Sequence, residues 1–395
     1  MEKIWLILPG LLLLIGGGEW LVRGASRLAS LLGVPPVVIG LSVVAFGTSA
    51  PELAVSVLSA YRGQPDIAVG NVVGSNIVNV LLILGLSAVV APLAVSVRLI
   101  KIEVPLMIGT ALLFIALAYD GKLTRWDGAL LVLIFVAYIA WMARTARSET
   151  LLQEELEEAG VIPRSGWTYL KLAGLTLAGL AGLVLGSEWL IQGAVAAARA
   201  LGVSELVIGL TIVAIGTSMP ELATSVIASI RGERDISVGN VVGSNIFNIL
   251  SVLGFSSLVA PDGVAVAPAV LRFDAPVMVG VSLACFPVFF NGFQIKRWEG
   301  MLFVVYYIAY TVYLILYSSH HDALDEYTLA MGYFVLPLTG IALVLTLIFA
   351  WNRQYLKPRR TRREYLPHAQ QALAPNAQTD DSEPDSTDPA RGAGR

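Results

Sequence analysis

Long apolar stretches alternate with short polar breaks along most of the chain. They fall near residues 4–22, 36–60, 68–90, 103–119, 127–143, 169–193, 205–230, 237–259, 273–290, 299–317 and 328–351. Each is close to the roughly 17–25 residues that an α-helix needs to cross a hydrocarbon core. The pattern predicts ten membrane helices in two sets of five, with an eleventh behind them.

The polar breaks inside these stretches are written twice. Gly47-Thr48-Ser49-Ala50-Pro51-Glu52-Leu53 returns as Gly216-Thr217-Ser218-Met219-Pro220-Glu221-Leu222, offset by 169 residues. Gly70-Asn71-Val72-Val73-Gly74-Ser75-Asn76-Ile77 returns as Gly239-Asn240-Val241-Val242-Gly243-Ser244-Asn245-Ile246 at the same offset. Further on, Lys101-Ile102-Glu103-Val104-Pro105 pairs with Arg272-Phe273-Asp274-Ala275-Pro276, and Arg125-Trp126-Asp127-Gly128 with Arg297-Trp298-Glu299-Gly300. Five helices per half is an odd number, so the second half enters the membrane from the opposite side, the inverted repeat of secondary transporters. The expected fold is an all-α polytopic membrane protein: a ten-helix core of two inverted five-helix repeats plus one extra C-terminal transmembrane helix. The expected segments are a first repeat over 1–144, a cytoplasmic loop over 145–168, a second repeat over 169–317, the additional helix within 318–351, and a tail over 352–395.

Composition agrees with a bilayer as solvent. The chain is 56% hydrophobic and 14% charged, with mean hydropathy +0.73, against about 25% charged in soluble domains. The single Cys285 excludes an internal disulfide. With a net charge of -3 and no basic patch interleaved with aromatics, no nucleic-acid partner is expected; the expected partners are the lipid bilayer and ions. Lys3 followed by the apolar run Leu6 to Ile15 resembles a signal peptide. However, Glu19-Trp20-Leu21 returns as Glu188-Trp189-Leu190, so this segment is expected to be retained as part of the repeat.

Basic residues set the expected orientation in a cell (inner) membrane. With the N-terminus outside, the inner loops hold Arg23, Arg27, Arg98, Lys101, Arg144, Arg147, Arg164, Lys171, Arg231, Arg234, Lys296 and Arg297. The outer loops hold only Arg62, Lys122, Arg125, Arg199 and Arg272. The run from Arg353 to Arg363 then places the C-terminus in the cytoplasm and serves as a topological anchor. The acidic Glu154-Glu155-Leu156-Glu157-Glu158 reads as a solvated amphipathic helix, and 364–395 as disordered.

A carboxylate inside an apolar span is costly unless something compensates it, and a bound cation does so. Thr48 and Ser49 stand four and three residues before Glu52, so all three line one helix face. Pro51 lacks an N–H and frees carbonyls around residues 45–48, which must line a cavity or hold an ion. The next helix adds Ser75 and Asn79, and the second half repeats the set with Thr217, Ser218, Glu221, Ser244 and Asn248. This all-oxygen set suits a hard cation, calcium or sodium, and lacks the His and thiolate ligands of transition-metal sites. No nucleophile–base pair accompanies the two acids, so an enzyme is not expected and no cofactor is implied. Ser56, Ser225, Glu19 and Glu188 read as structural, and His320, His321 and His368 as surface residues.

These motifs resemble the two alpha-repeats of the calcium/cation antiporter superfamily, most closely its prokaryotic sodium/calcium exchanger branch. The resemblance covers residues 1 to about 317. It implies ion coordination by Thr48, Ser49, Glu52, Ser75 and Asn79, and by Thr217, Ser218, Glu221, Ser244 and Asn248. It adds the backbone carbonyls of Ala45 and Ala214 as ligands. It further implies that the first and sixth helices slide across a fixed core, and that the transported ions are Ca2+ and Na+. Some relatives carry Asp where this chain has Asn248. With Asn at both positions the site holds two carboxylates, and potassium dependence is not expected. The calcium/proton branch is the alternative, since glutamates that hold calcium also bind protons.

Overall fold

The computed structural model describes residues 3–32, 36–154, 166–201, 214–319, 321 and 323–355. Residues through Ala350 pack as one unit. Its helices are α1 (Ile4–Leu32), α2 (Val37–Thr48), α3 (Ala50–Tyr61), α4 (Pro65–Val90), α5 (Leu99–Leu117) and α6 (Arg125–Glu154). The second half contributes α7 (Gly166–Ala200), α8 (Met219–Ile230), α9 (Arg234–Val259), α10 (Val270–Phe290) and α11 (Arg297–Ser318), followed by α12 (Leu324–Phe349). Among the described residues nine helices are long and apolar enough to span a membrane, and α2 with α3 makes a tenth span bent by 46°. α8 is the described end of the span expected over 205–230; residues 202–213 lie outside the described residues, as do the acidic residues 155–158, His320, His368 and the tail from 356.

Repetition in sequence becomes reciprocity in space. β1 (Leu93–Ala94) pairs with β4 (Gln294–Ile295), and β2 (Lys122–Leu123) with β3 (Val264–Ala265), both antiparallel. Val95 N–H donates to Phe293 O and Val266 N–H to Gly121 O, each at 2.8 Å. Arg125 Nε donates to Ala260 O and Arg297 donates to Val90 O. Each contact has its counterpart in the other half, which makes the two repeats related by a pseudo-two-fold. Each also joins two loops that the inverted topology places on the same side of the membrane.

α4 and α9 form the centre: 78% and 89% of their apolar windows are buried. α1 and α7 pack on each other along glycines and keep Leu8, Leu12, Leu170 and Leu177 exposed. Trp5, Tyr119, Trp126, Trp167 and Trp298 are exposed at or next to helix ends, where membrane proteins carry their interfacial aromatics. No residue of the apolar window of α12 is fully buried; Leu343 packs partly buried against the core, and the helix touches α11 where Tyr306 meets Thr339 and Tyr327 OH meets Ala309 O.

Two helices run further than the hydropathy pattern predicts. α1 continues about ten residues past the apolar stretch to Leu32, with polar contacts along the extension: Glu19 meets Arg23 at 2.5 Å and Arg231 of the α8–α9 turn, and Ser26 Oγ donates to Glu233 at 2.6 Å. α6 likewise runs into the expected central loop as far as Glu154.

A further buried carboxylate lies outside the two glutamate motifs, in the repeated segment 101–105. Glu103 is fully buried, accepts a hydrogen bond from Tyr138 OH at 2.9 Å and faces Arg98. Its counterpart Asp274 accepts from Tyr310 OH at 2.8 Å. Hydrogen bonds to charged groups contribute about 1.5–3 kcal/mol, so Tyr138→Phe is expected to lower thermal stability in detergent by that order while leaving ion affinity intact; a melting curve beside a binding isotherm checks both.

Candidate cation site

Proline punctuation creates the site. Pro51 and Pro220 each occupy the first turn of the helix after a break, α3 and α8. At the breaks Ser49 (φ -84, ψ 7) and Ser218 (φ -88, ψ 10) leave helical geometry in the same way. A proline ring cannot continue the preceding turn, so both chains bend beside a serine and bring a glutamate into the first turn beyond it. Glu52 and Glu221 are buried, as are Thr48, Ser49, Ser75, Asn79, Ser218, Ser244 and Asn248; Thr217 is half-buried. A widened, π-type turn begins at Asn79 in α4 and at Asn248 in α9, a local irregularity typical of functional positions.

The bonds cross between halves. Ser49 Oγ donates to Glu221 Oε1 at 2.8 Å, and Ser218 Oγ reaches Glu52 Oε1 and Ser75 Oγ, both at 3.2 Å. Thr48 Oγ1 lies 3.1 Å from Asn240 Oδ1, and Thr217 Oγ1 lies 3.2 Å from Asn71 Oδ1. Asn71 Nδ2 donates to Glu52 O and Ser56 Oγ, while Asn240 Nδ2 donates to Glu221 O and Ser225 Oγ. Ser56 and Ser225 therefore hold these amides in place, which fits their structural reading. A hydroxyl whose proton goes to an amide oxygen keeps its lone pairs for a cation. Ala45 O accepts the Ser49 N–H at 3.0 Å and lies 3.4 Å from Thr48 Oγ1; Ala214 is the first described residue of its span.

Four buried acceptors of this cage have no hydrogen-bond partner: Glu52 Oε2, Glu221 Oε2, Asn79 Oδ1 and Asn248 Oδ1. Ser244 Oγ is in the same position. A buried acceptor left unsatisfied costs about 1–3 kcal/mol, and here four stand in two symmetry-related pairs. Among the described residues no group of three or more His, Cys, Asp or Glu occurs, so this cage offers two carboxylates and otherwise neutral oxygens. That donor set fits calcium or sodium.

The expected single helix face of Thr48, Ser49 and Glu52 is instead divided: the chain breaks at Ser49, so Thr48 ends α2 and Glu52 begins α3, and spacing along one helix did not show the residues bridging the halves. Asn71, Asn76, Asn240 and Asn245 all lie inside the repeated GNVVGSNI motif, and their repetition was the signal available.

A helical membrane protein built of two inverted repeats, with an oxygen cage where they meet, falls in the class of secondary transporters. The chain matches the family described as sodium/calcium exchanger protein over residues 2–144 and 171–316, and it belongs to that family. It is a membrane exchanger, not a catalyst. CaxA of Alkalimonas amylolytica is 42% identical over 320 residues, covering 79% of this chain and 98% of that one. The sodium/calcium exchanger MaX1 of Methanosarcina acetivorans is 34% identical over 342 residues, 78% and 97% of the two chains. A solved structure of the sodium-calcium exchanger NCX_Mj is similar with a TM-score of 0.67 at 33% identity, over 78% of this chain and 97% of that one. That structure has the inverted-repeat ten-helix fold, as expected here.

Proposed function

We propose that the chain exchanges sodium for calcium across the membrane by alternating access, using the cage between Glu52 and Glu221. The observation carrying this reading is the set of four partnerless acceptors contributed equally by the two halves. Thr48, Ser49, Glu52, Ser75 and Asn79 would bind the ions with Thr217, Ser218, Glu221, Ser244 and Asn248, joined by the carbonyls of Ala45 and Ala214. An empty cage places two carboxylates in a dry interior, which penalises the conformational change. A cage loaded with one calcium or with sodium ions is nearer neutral and crosses more easily, and this couples the two fluxes. More than two sodium ions per calcium would make exchange electrogenic and voltage-sensitive.

We place the N-terminus outside and the C-terminus in the cytoplasm of a cell (inner) membrane, a reading supported by the distribution of basic residues among the loops.

The test loads proteoliposomes with sodium, dilutes them into sodium-free buffer and follows radioactive calcium. Uptake that needs the sodium gradient is the expected result. Uptake driven only by a proton gradient would assign the chain to calcium/proton exchange, and no uptake under either gradient would overturn the assignment of calcium.

A further inference from the structure

Four asparagines meet at the centre of the pseudo-two-fold, and two of them are not expected ligands. Asn76 Nδ2 donates to the backbone carbonyl of Asn245, and Asn245 Nδ2 donates to the backbone carbonyl of Asn76, each at 3.3 Å. A backbone carbonyl is only ever an acceptor, so these two bonds fix which way each amide faces. The second proton of each amide points at a methionine sulfur, Met278 Sδ at 3.6 Å and Met107 Sδ at 3.5 Å. Both Nδ2 groups are thereby committed, and both Oδ1 atoms must face the other way. There, Asn76 Oδ1 accepts from Asn248 Nδ2 at 3.1 Å, and Asn245 Oδ1 accepts from Asn79 Nδ2 at 2.9 Å. All four residues are buried, so no solvent substitutes for a missing bond.

We propose that Asn76 and Asn245 are positioning residues that require a neutral hydrogen-bond donor at 248 and 79 and turn the remaining amide oxygens toward the transported cation. This inference rests on the cation site assigned above and deepens it. The orientation passes in one direction: main-chain carbonyl, then Asn76 or Asn245, then Asn248 or Asn79, then the partnerless oxygen. An ionised carboxylate at 248 would set acceptor against acceptor at Asn76 Oδ1, so the quartet also limits the cage to two negative charges. The linkage crosses between halves. Asn76 acts on Asn248, not on Asn79 three residues along its own helix, because alanine at 76 keeps the backbone carbonyl that orients Asn245.

The experiment is a pair of double-mutant cycles on the purified full chain, reading radioactive calcium binding and its displacement by sodium. Asn248→Ala is expected to weaken the calcium or the sodium constant by roughly tenfold. Asn76→Ala should weaken that same constant by a similar factor, and the double variant should bind no worse than Asn248→Ala alone. In an Asn79→Ala background the effect of Asn76→Ala should persist. Asn245→Ala with Asn79→Ala forms the mirror cycle, which carries the test if Asn76→Ala does not fold. Additive effects within both cross-half pairs would overturn the proposal, as would an unchanged constant in Asn76→Ala or in Asn248→Ala. Wild-type protein that binds no calcium, or a Glu52→Gln variant that binds it as well as wild type, would instead remove the cation-site reading and this inference with it.

Discussion

Replacing Glu52 or Glu221 by glutamine is expected to abolish calcium uptake into sodium-loaded proteoliposomes while leaving the protein folded. Two unit charges about 4 Å apart interact by about 4 kcal/mol at an effective dielectric constant near 20. Removing one carboxylate from a divalent ion therefore lowers affinity by at least about two powers of ten. Glutamine has nearly the same volume, and its carbonyl still accepts the bond from Ser218 at position 52 or from Ser49 at position 221. The ion-free variant also loses one of two buried like charges. Its melting temperature in detergent without calcium should equal or exceed that of the wild type, whereas calcium should stabilise only the wild type. Uptake measurements and melting curves with and without calcium check both halves of this prediction. Loss of folding together with loss of uptake would mark these glutamates as structural.

The second large effect concerns the α1–α7 contact. A Cβ built on Gly179 would lie 2.5 Å from Leu21 N and 2.8 Å from Gly17 O, both main-chain atoms. The reciprocal Cβ on Gly17 would lie 2.7 Å from Leu183 N and 2.8 Å from Gly179 O. Backbone cannot step aside as a side chain does, so any larger residue must push the two helices apart. In membranes, where no hydrophobic force holds helices together, such small-residue contacts are the packing itself. Gly179→Val is expected to destabilise by about 1–3 kcal/mol or more and to remove transport. Gly174 lies on the same helix with nothing within 4 Å of its Cβ position, so Gly174→Val should leave melting temperature and uptake near wild type. Equal behaviour of the two variants would show that the glycine contact does not hold the pair together.

Much of this architecture was legible because repetition is visible without a structure. The 169-residue offset of the glutamate motifs, read with the odd helix count, points to the inverted halves; the i, i+4 reading of Thr48 and Glu52 as one helix face fails, because the helix breaks at Ser49 between them and Ser49 bonds Glu221 of the other half. Spacing along one helix does not say what lies opposite, so the bonds from Thr48 to Asn240 and from Asn79 to Asn245 were not foreseen. Arg23 and Arg27 read as loop charges, yet α1 continues through them, with Glu19 meeting both Arg23 and Arg231. Glu103 was recognised only as part of a repeated pair; that Tyr138 covers it depends on how α5 and α6 meet, which hydropathy does not encode.

The most direct test of a single cation site shared by both repeats is a structure of the full chain crystallised with calcium, with the ion located by its anomalous scattering. The expected result is a peak between the Glu52 and Glu221 carboxylates, with oxygen ligands from both halves at about 2.3–2.6 Å. A peak held by one half alone, or peaks only elsewhere on the molecule, would contradict it.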